Sequence, residues 1–232
     1  MILLVDADSL VFSSCYRKRS EFFTDIEQAK AKFDEVFLSM LNDIEELYDL
    51  DDVKVFNGAR GNFRKLITSK YKANRTDIER PPLLNDMHYY VSKNYDAINA
   101  CGVETDDVVA RYWYEISQVV GRDNVMIVSL DKDYKQFPCL YYNYHYQHQK
   151  VINITPEQAL YNFYEQMIAG DTADNVNYFK GKGVKFAKQY YKGCVTEYQY
   201  RRRLYKLFKK EYKSKAKEKY SECYNLLKLR TK

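Results

Sequence analysis

The chain has 232 residues, 46% hydrophobic and 30% charged, with one Trp, 24 Tyr and 12 Phe. That apolar share excludes a fully disordered chain, and the length allows a buried core without disulfides or a structural metal. The net charge of +5 is uneven: residues 201–232 hold 13 Lys or Arg against 3 acids, a local +10 over a remainder of −5. An acidic body with a basic tail suits a protein that holds cations in one place and polyanions in another. No apolar run approaches the ~20 residues of a membrane span. Met1–Val5 meets Asp6 without a basic lead, so no signal peptide is expected. The five cysteines are odd in number, widely spaced and free of any C-x-x-C pair. A reducing, cytoplasmic setting is therefore expected, rather than a disulfide framework or a zinc site.

In chain order, Ile2–Val5 is an apolar run too short for a helix and predicts a buried parallel strand ending in Asp6-Ala7-Asp8. Residues 25–49 place apolar side chains three and four apart, which predicts an amphipathic helix. Val53–Phe56 reads as a second strand, closed by Asn57-Gly58. Residues 58–82 are basic and irregular and end at Pro81-Pro82, which predicts a long loop. Residues 83–97 read as helix, Ile98–Cys101 as a short strand, and Glu104–Val119 as helix. Val125–Leu130 is a third apolar run, ending in Asp131-Lys132-Asp133. Residues 140–152 alternate Tyr142, Tyr144 and Tyr146 with polar residues, including His145 and His148, and predict exposed edge strands. Thr155 reads as an N-cap with Pro156 first in the helix. Helices follow to the C-terminus. The alternation of strand and helix predicts an α/β three-layer sandwich with a mainly parallel central sheet over 1–154. A helical region is expected over 155–232.

Ligands of open parallel sheets sit beyond the carboxyl ends of the strands. Here those ends carry Asp6 and Asp8, then Asp131 and Asp133. The helix near Glu104 adds Asp106 and Asp107, and a loop adds Asp171 and Asp174. Singly, such acids are often turn residues or helix-terminus charges. Together they form up to nine carboxylates on one edge, whose repulsion calls for cations. Oxygen-only donors select hard ions such as Mg²⁺ or Mn²⁺, and a pair of such ions suits phosphodiester hydrolysis.

Residues 60–80 carry seven basic side chains, namely Arg60, Arg64, Lys65, Lys70, Lys72, Arg75 and Arg80, with Phe63 and Tyr71 among them. Basic groups neutralise phosphates and aromatic rings stack on unpaired bases. Gly181-Lys182-Gly183-Val184-Lys185, before a predicted helix, is a second phosphate-handling candidate. No G-x-S-x-G and no G-x-x-x-x-G-K-[ST] occurs, which excludes a serine-type hydrolase elbow and a P-loop.

These blocks stand in a telling order: Leu3-Leu4-Val5-Asp6, Tyr71-Lys72-Ala73-Asn74-Arg75, Gly102 to Asp107, Ser129 to Asp133, Gly170 to Asn175 and Gly181 to Ala187. The series resembles the 5′-nuclease superfamily of flap endonucleases, phage 5′→3′ exonucleases and phage RNase H. The resemblance covers about residues 2–190. It implies a PIN-like fold, two Mg²⁺ ions for which Mn²⁺ can substitute, and metal-site positions Asp6, Glu104, Asp106, Asp107, Asp131, Asp133, Asp171 and Asp174. Lys72 and Arg75 match residues at the scissile phosphate, and Tyr71 matches an aromatic beside the terminal nucleotide. With Arg64 and Lys65 they make up the implied nucleic-acid contacts. Gly181, Gly183 and Lys185 match a helix–hairpin–helix turn that grips duplex phosphates, with K⁺ in some members.

The resemblance implies a monomeric 5′→3′ exonuclease or flap endonuclease of viral replication, working in the host cytoplasm. Its expected partners are DNA with 5′ ends or flaps, RNA–DNA duplexes, and replication proteins. Two departures stand out. The family's usual Asp at the end of the second strand is Asn57 here, which implies a weaker metal site, and the stretch from Arg75 to Gly102 is short for a threading arch. The resemblance assigns no role to Asp8. Two rival readings are a non-catalytic nucleic-acid-binding protein that kept the fold, favoured by Asn57, and a PIN-type ribonuclease, disfavoured by the Gly181–Ala187 block.

Overall fold

β1 (Ile2–Asp6) runs through the middle of the molecule, and its alternating side chains feed two apolar layers. Leu3 and Val5 face one layer, Leu4 the other, as the two-residue period of a strand requires. The computed structural model describes residues 1–18, 21–75, 79–145 and 147–231. Tyr146 and the Arg60 side chain, both part of the sequence reading, lie outside the described residues and side chains.

The chain continues through α1 (Asp8–Ser14), a small ribbon of β2 (Tyr16–Lys18) and β3 (Glu21–Phe22), and α2 (Ile26–Glu45). Next come β4 (Asp52–Arg60), α3 (Arg64–Ile67), α4 (Leu84–Asn94), β5 (Ile98–Cys101) and α5 (Thr105–Val120). β6 (Val125–Val128), β7 (Leu140–Tyr142) and β8 (Val151–Asn153) complete the strands. The helical part holds α6 (Pro156–Ala169), α7 (Val184–Tyr190), α8 (Glu197–Tyr212) and α9 (Ala216–Leu227).

Among the described residues, six strands form the main sheet in the order β5-β4-β1-β6-β7-β8. All neighbours are parallel except β7 and β8. Parallel strands need crossovers, and the crossover helices cover both faces. Phe33 and Phe37 of α2 and Met87 and Val91 of α4 pack on the Leu3–Val5 side. Val108, Val109 and Trp113 of α5 and Ala159 of α6 pack on the Leu4 side. This is the expected three-layer α/β sandwich with a helical C-terminal part. Strand order reverses at β1: β4 and β5 extend one way, β6 to β8 the other. That reversal opens a crevice beyond the carboxyl ends of β1 and β6.

Several expectations change. Residues 58–82 are not one long loop, because β4 runs to Arg60, α3 follows, and a 3₁₀ turn covers Ala73–Arg75. The Tyr-rich run is only partly an edge. β7 is interior, with Tyr141 and Tyr142 buried, while β8 forms the border. His145 and His148 lie exposed between them. Thr155 does cap α6: its side chain accepts from the Gln158 N–H, Gln158 answers the Thr155 N–H, and Pro156 takes the first position.

Residues 201–231 are not a tail. Leu204, Leu207 and Phe208 of α8 and Cys223, Leu226 and Leu227 of α9 are buried in a third core with Phe163, Tyr164 and Phe179. The basic residues are the outer face of helices whose inner face is apolar. Deleting residues 201–232 would therefore remove part of a core and would not isolate an electrostatic effect. A point substitution is informative instead. Phe208→Ala should cost about 3–5 kcal/mol, since a fully buried ring leaves a cavity. Urea unfolding followed by circular dichroism measures it, and a loss under 1 kcal/mol would show that the α8–α9 core is not tightly packed.

Candidate active site

Asp6 ends β1, and the chain after β6 delivers Ser129, Asp131 and Asp133 beside it. A cavity there is lined by Asp6, Asp8, Glu104, Asp106, Asp131, Asp133, Asp171 and Asp174, together with Lys72, Arg75 and Lys132. Residues from five separate chain segments thus converge on one crevice.

Local structure aims each group. Asp131 caps the 3₁₀ turn Lys132–Gln136 by accepting from the Asp133 N–H at 2.8 Å. Asp6 Oδ2 accepts from the Tyr134 hydroxyl at 2.9 Å and the Ser129 hydroxyl at 3.2 Å. Asp171 Oδ1 accepts from the N–H groups of Ala173 (2.8 Å) and Asp174 (3.3 Å), which folds the 171–176 loop on itself. That loop depends on Gly170, whose φ of 76° and ψ of −172° form a region essentially reserved for glycine. A Cβ there would stand 2.2 Å from the Val176 carbonyl oxygen.

The cations sit among the acids. Lys72, at a left-handed φ of 55°, donates from Nζ to Glu104, and its backbone N–H donates to the Asp174 carbonyl at 2.9 Å. Arg75 reaches Asp174 at 2.8 Å and the Ala173 carbonyl at 3.0 Å. Lys132 Nζ lies 3.1 Å from Asp171. Among the described residues, no three acids close on a common point at metal-ligand distance. The donor chemistry nevertheless fits hard divalent ions, because the lining offers many carboxylate oxygens and no sulfur or imidazole.

The electrostatics point the same way. Burial, then the charges of Asp8 and Asp131, push the Asp6 carboxyl up to about 7 against the pull of the Tyr134 hydroxyl. Burial, then Asp131 and Asp171, push Asp133 up to about 8. Desolvation, then Glu104 and Asp107, hold Asp106 well above the ordinary range. Glu104 goes the other way: burial opposes ionisation, but Lys72 and Arg64 outweigh it.

Some sequence-predicted residues serve the frame rather than the cavity. Arg64 is expected at nucleic acid, yet it is 1% exposed. Its guanidinium grips Asp107 with two bonds of 2.6 and 2.9 Å, reaches Glu104 at 2.9 Å, and donates to the Leu226 and Lys228 carbonyls. Asp107, expected at the metals, is occupied by that grip and by the Arg230 N–H, and it does not line the cavity. Tyr71, expected to stack on a nucleotide, is 3% exposed. Its hydroxyl is shared between Glu104 (2.8 Å) and Asp174 (2.7 Å).

Asn57 also turns away from the cavity. Its amide N–H groups serve the His88 carbonyl and Ser92 hydroxyl, and its oxygen faces His88 Nδ1 at 2.7 Å. It is thus part of the α4 packing, not a weakened ligand. Asp8, given no role, lines the cavity, held by the Gly58 N–H (2.6 Å) and the Thr105 hydroxyl (2.7 Å). Its place two residues after Asp6 was the available signal. Lys132, Tyr134 and Gln166 were missed as well. Lys132 and Tyr134 follow Asp131 closely, but Gln166, which donates to Asp133 at 2.7 Å, carries no local mark. Lys65, Gly181, Gly183 and Lys185 are exposed and lie outside the cavity lining.

Two outcomes follow from this geometry. Gly170→Ala should destabilise the chain by at least about 1–3 kcal/mol through backbone conformation alone. Thermal melting reads this, and an unchanged midpoint would mean that the 171–176 loop readily rearranges. Second, an acid harder to ionise in the folded chain costs stability once pH forces it to ionise. Asp6 and Asp133 therefore contribute stability below about pH 4 that is lost as pH rises through 7 to 8. In EDTA the melting midpoint should fall over that window. Mg²⁺ at 100 times its dissociation constant should restore about 2.7 kcal/mol. Asp6→Asn should shrink the fall, and a midpoint flat from pH 5 to 8.5 in EDTA would contradict the crowded-carboxylate account.

Comparisons with known proteins agree with the fold. The family model "5′-3′ exonuclease, N-terminal resolvase-like domain" matches residues 1–165. A curated 5′-3′ exonuclease of Buchnera aphidicola subsp. Schizaphis graminum is 25% identical over 207 residues, covering 80% of this chain and 68% of that protein. A crystal structure of the phage T5 protein co-crystallised with metal ions superposes with a TM-score of 0.68 at 15% identity, covering 100% of this chain and 90% of that one. The bacteriophage T5 flap endonuclease in a pseudo-enzyme–product complex with DNA and metal ions gives 0.60 at 13% identity, covering 97% and 98%. At such identities the solved structures establish the fold. The family match spans well over half of the chain, and on that ground the chain belongs to the 5′-3′ exonuclease family through its N-terminal, resolvase-like domain.

Proposed function

We propose that the chain is a divalent-metal-dependent 5′-nuclease that hydrolyses phosphodiesters of DNA at 5′ ends and flaps. The observation that carries this reading is the single crevice where eight carboxylates meet Lys72 and Arg75. A cavity so rich in acid would repel a phosphate diester unless cations intervened. Metal ions in the solved T5 relatives, and DNA in one of them, support the same reading. When bound, such ions supply charge neutralisation at the phosphate and activation of water.

The chain's own residues do the rest. Glu104 and Asp174 are paired with and aimed by Lys72, Arg75 and the Tyr71 hydroxyl. Lys72 and Arg75 line the crevice, so a phosphate entering it meets two cations already oriented. Burial and neighbouring acids make Asp6, Asp106 and Asp133 harder to ionise than ordinary carboxyls, and arriving positive charge favours their ionised forms. Arg64 keeps α5, and with it Glu104 and Asp106, in register without touching substrate. The full set of acids argues against a non-catalytic relative, and Asn57 no longer supports one.

The deciding assay offers 5′-labelled flap, blunt-duplex, single-strand and RNA–DNA substrates with Mg²⁺, Mn²⁺ or EDTA. Cleavage of the flap with Mg²⁺ and none in EDTA is expected, and metal-independent cleavage would end the proposal. Lys72→Ala should slow cleavage by roughly 10²–10³-fold, the usual loss of one preorganised charge-stabilising donor. Asp131→Asn with Asp133→Asn should abolish cleavage and weaken Mn²⁺ binding by calorimetry, while duplex binding stays near wild type. A double variant that cuts normally would remove these two acids from the metal site.

A further inference from the structure

Away from the acid crevice, a second recess of about 430 Å³ opens between α7 and α8. Its size falls within the roughly 300–1,000 Å³ of ligand pockets. One wall is aromatic. Phe186 and Tyr190, one helical turn apart on α7, stack with ring centroids 5.5 Å apart and planes 15° from parallel. Lys182 Nζ lies 5.9 Å from the Phe186 centroid. The other wall is basic, with Lys206 and Lys210 on α8. Arg202 precedes them in the same row, and all three are exposed. A step of four residues at 1.5 Å each sets these cations ~6 Å apart along the helix. Glu211, the acid of the lining, faces Lys182 at 3.5 Å.

A groove that joins cations in a row with an aromatic wall matches one class of ligand. Cations alone would suit any polyanion. The rings add a demand for flat apolar faces, and a base shows its face only when it is unpaired. We propose that the α7–α8 cleft binds an unpaired nucleic-acid strand, with a base against the Phe186–Tyr190 wall and backbone phosphates along Lys206 and Lys210. The inference rests on the nucleic-acid reading above and adds a second contact, independent of metal. It gives the basic face of α8 a ligand, whereas the Gly181–Lys185 turn alone would explain only a grip on duplex phosphates.

The test uses the full chain in EDTA, where no cleavage is expected, and reads fluorescence anisotropy of labelled oligothymidylate across a salt series. A blunt hairpin duplex serves as the control. Lys206→Gln with Lys210→Gln should flatten the slope of log K against log[salt] by roughly 1.4, two contacts at ~0.7 each. Phe186→Ala should weaken oligothymidylate binding by roughly fivefold or more, with the slope unchanged. Both variants should bind the blunt duplex like wild type. Phe186 is partly buried, so circular dichroism accompanies that variant. The two lysines are exposed, so their variant tests the proposal even if Phe186→Ala unfolds. Wild-type oligothymidylate binding by the lysine variant overturns the proposal, and so does an equal loss on the blunt duplex. The two readings fail separately. A chain that cuts flaps but ignores these substitutions loses only the cleft, and a chain that binds through the cleft but never cuts loses only the nuclease assignment.

Discussion

Mutual repulsion among carboxylates is the constraint around which the molecule is built. Parallel strands bring β1 and β6 side by side, so Asp6 and Asp131 cannot avoid one another. α5 and the 171–176 loop then add four more acids lining the same crevice. A fold that concentrated this much negative charge without relief would come apart at its centre. Relief arrives in three forms. Some acids are made harder to ionise, some face Lys72, Arg75 or Lys132, and one is removed from the cavity by Arg64. Part of the negative charge at this edge is thus already matched by cations of the chain itself.

The same constraint explains which side chains tie the acids to the cores. Tyr134, with no exposed surface, spends its hydroxyl on Asp6. Tyr71 divides its own between two carboxylates while its ring is sealed into the helical core. These aromatic groups act as bolts, apolar at one end and polar at the other. They couple the position of the acids to the packing of the cores.

Much of this was legible in the sequence. Ile2–Val5 and Val125–Val128 are apolar runs ended by acids, and a buried parallel strand leaves almost no other pattern. α2 and the Thr155 cap were readable from spacing alone. What escaped were residues whose role depends on distant partners. Arg64 sits in a basic stretch and looks like a phosphate contact, yet its partners are a helix 43 positions later and a carbonyl 162 positions later. Asn57 looks like a depleted ligand because the strand end is the expected place for one. Only the packing of α4 shows that its amide is already spoken for. The +10 segment disguised an apolar stripe, since Leu204, Leu207 and Phe208 are few among many lysines and tyrosines. Charge counts describe surfaces, and here the surface concealed a core.

The Arg64 grip also bears on the order of events when the chain is made. Its full set of contacts includes the Leu226 and Lys228 carbonyls, and the Arg230 N–H donates to the same Asp107. Contacts so remote in sequence form late, because the intervening chain must first be brought together. On a ribosome the β-sheet and its first acids emerge long before this fastening. The carbonyl contacts of Arg64 therefore fasten the segment that carries Glu104 and Asp106 to backbone 162 and 164 positions beyond Arg64 itself.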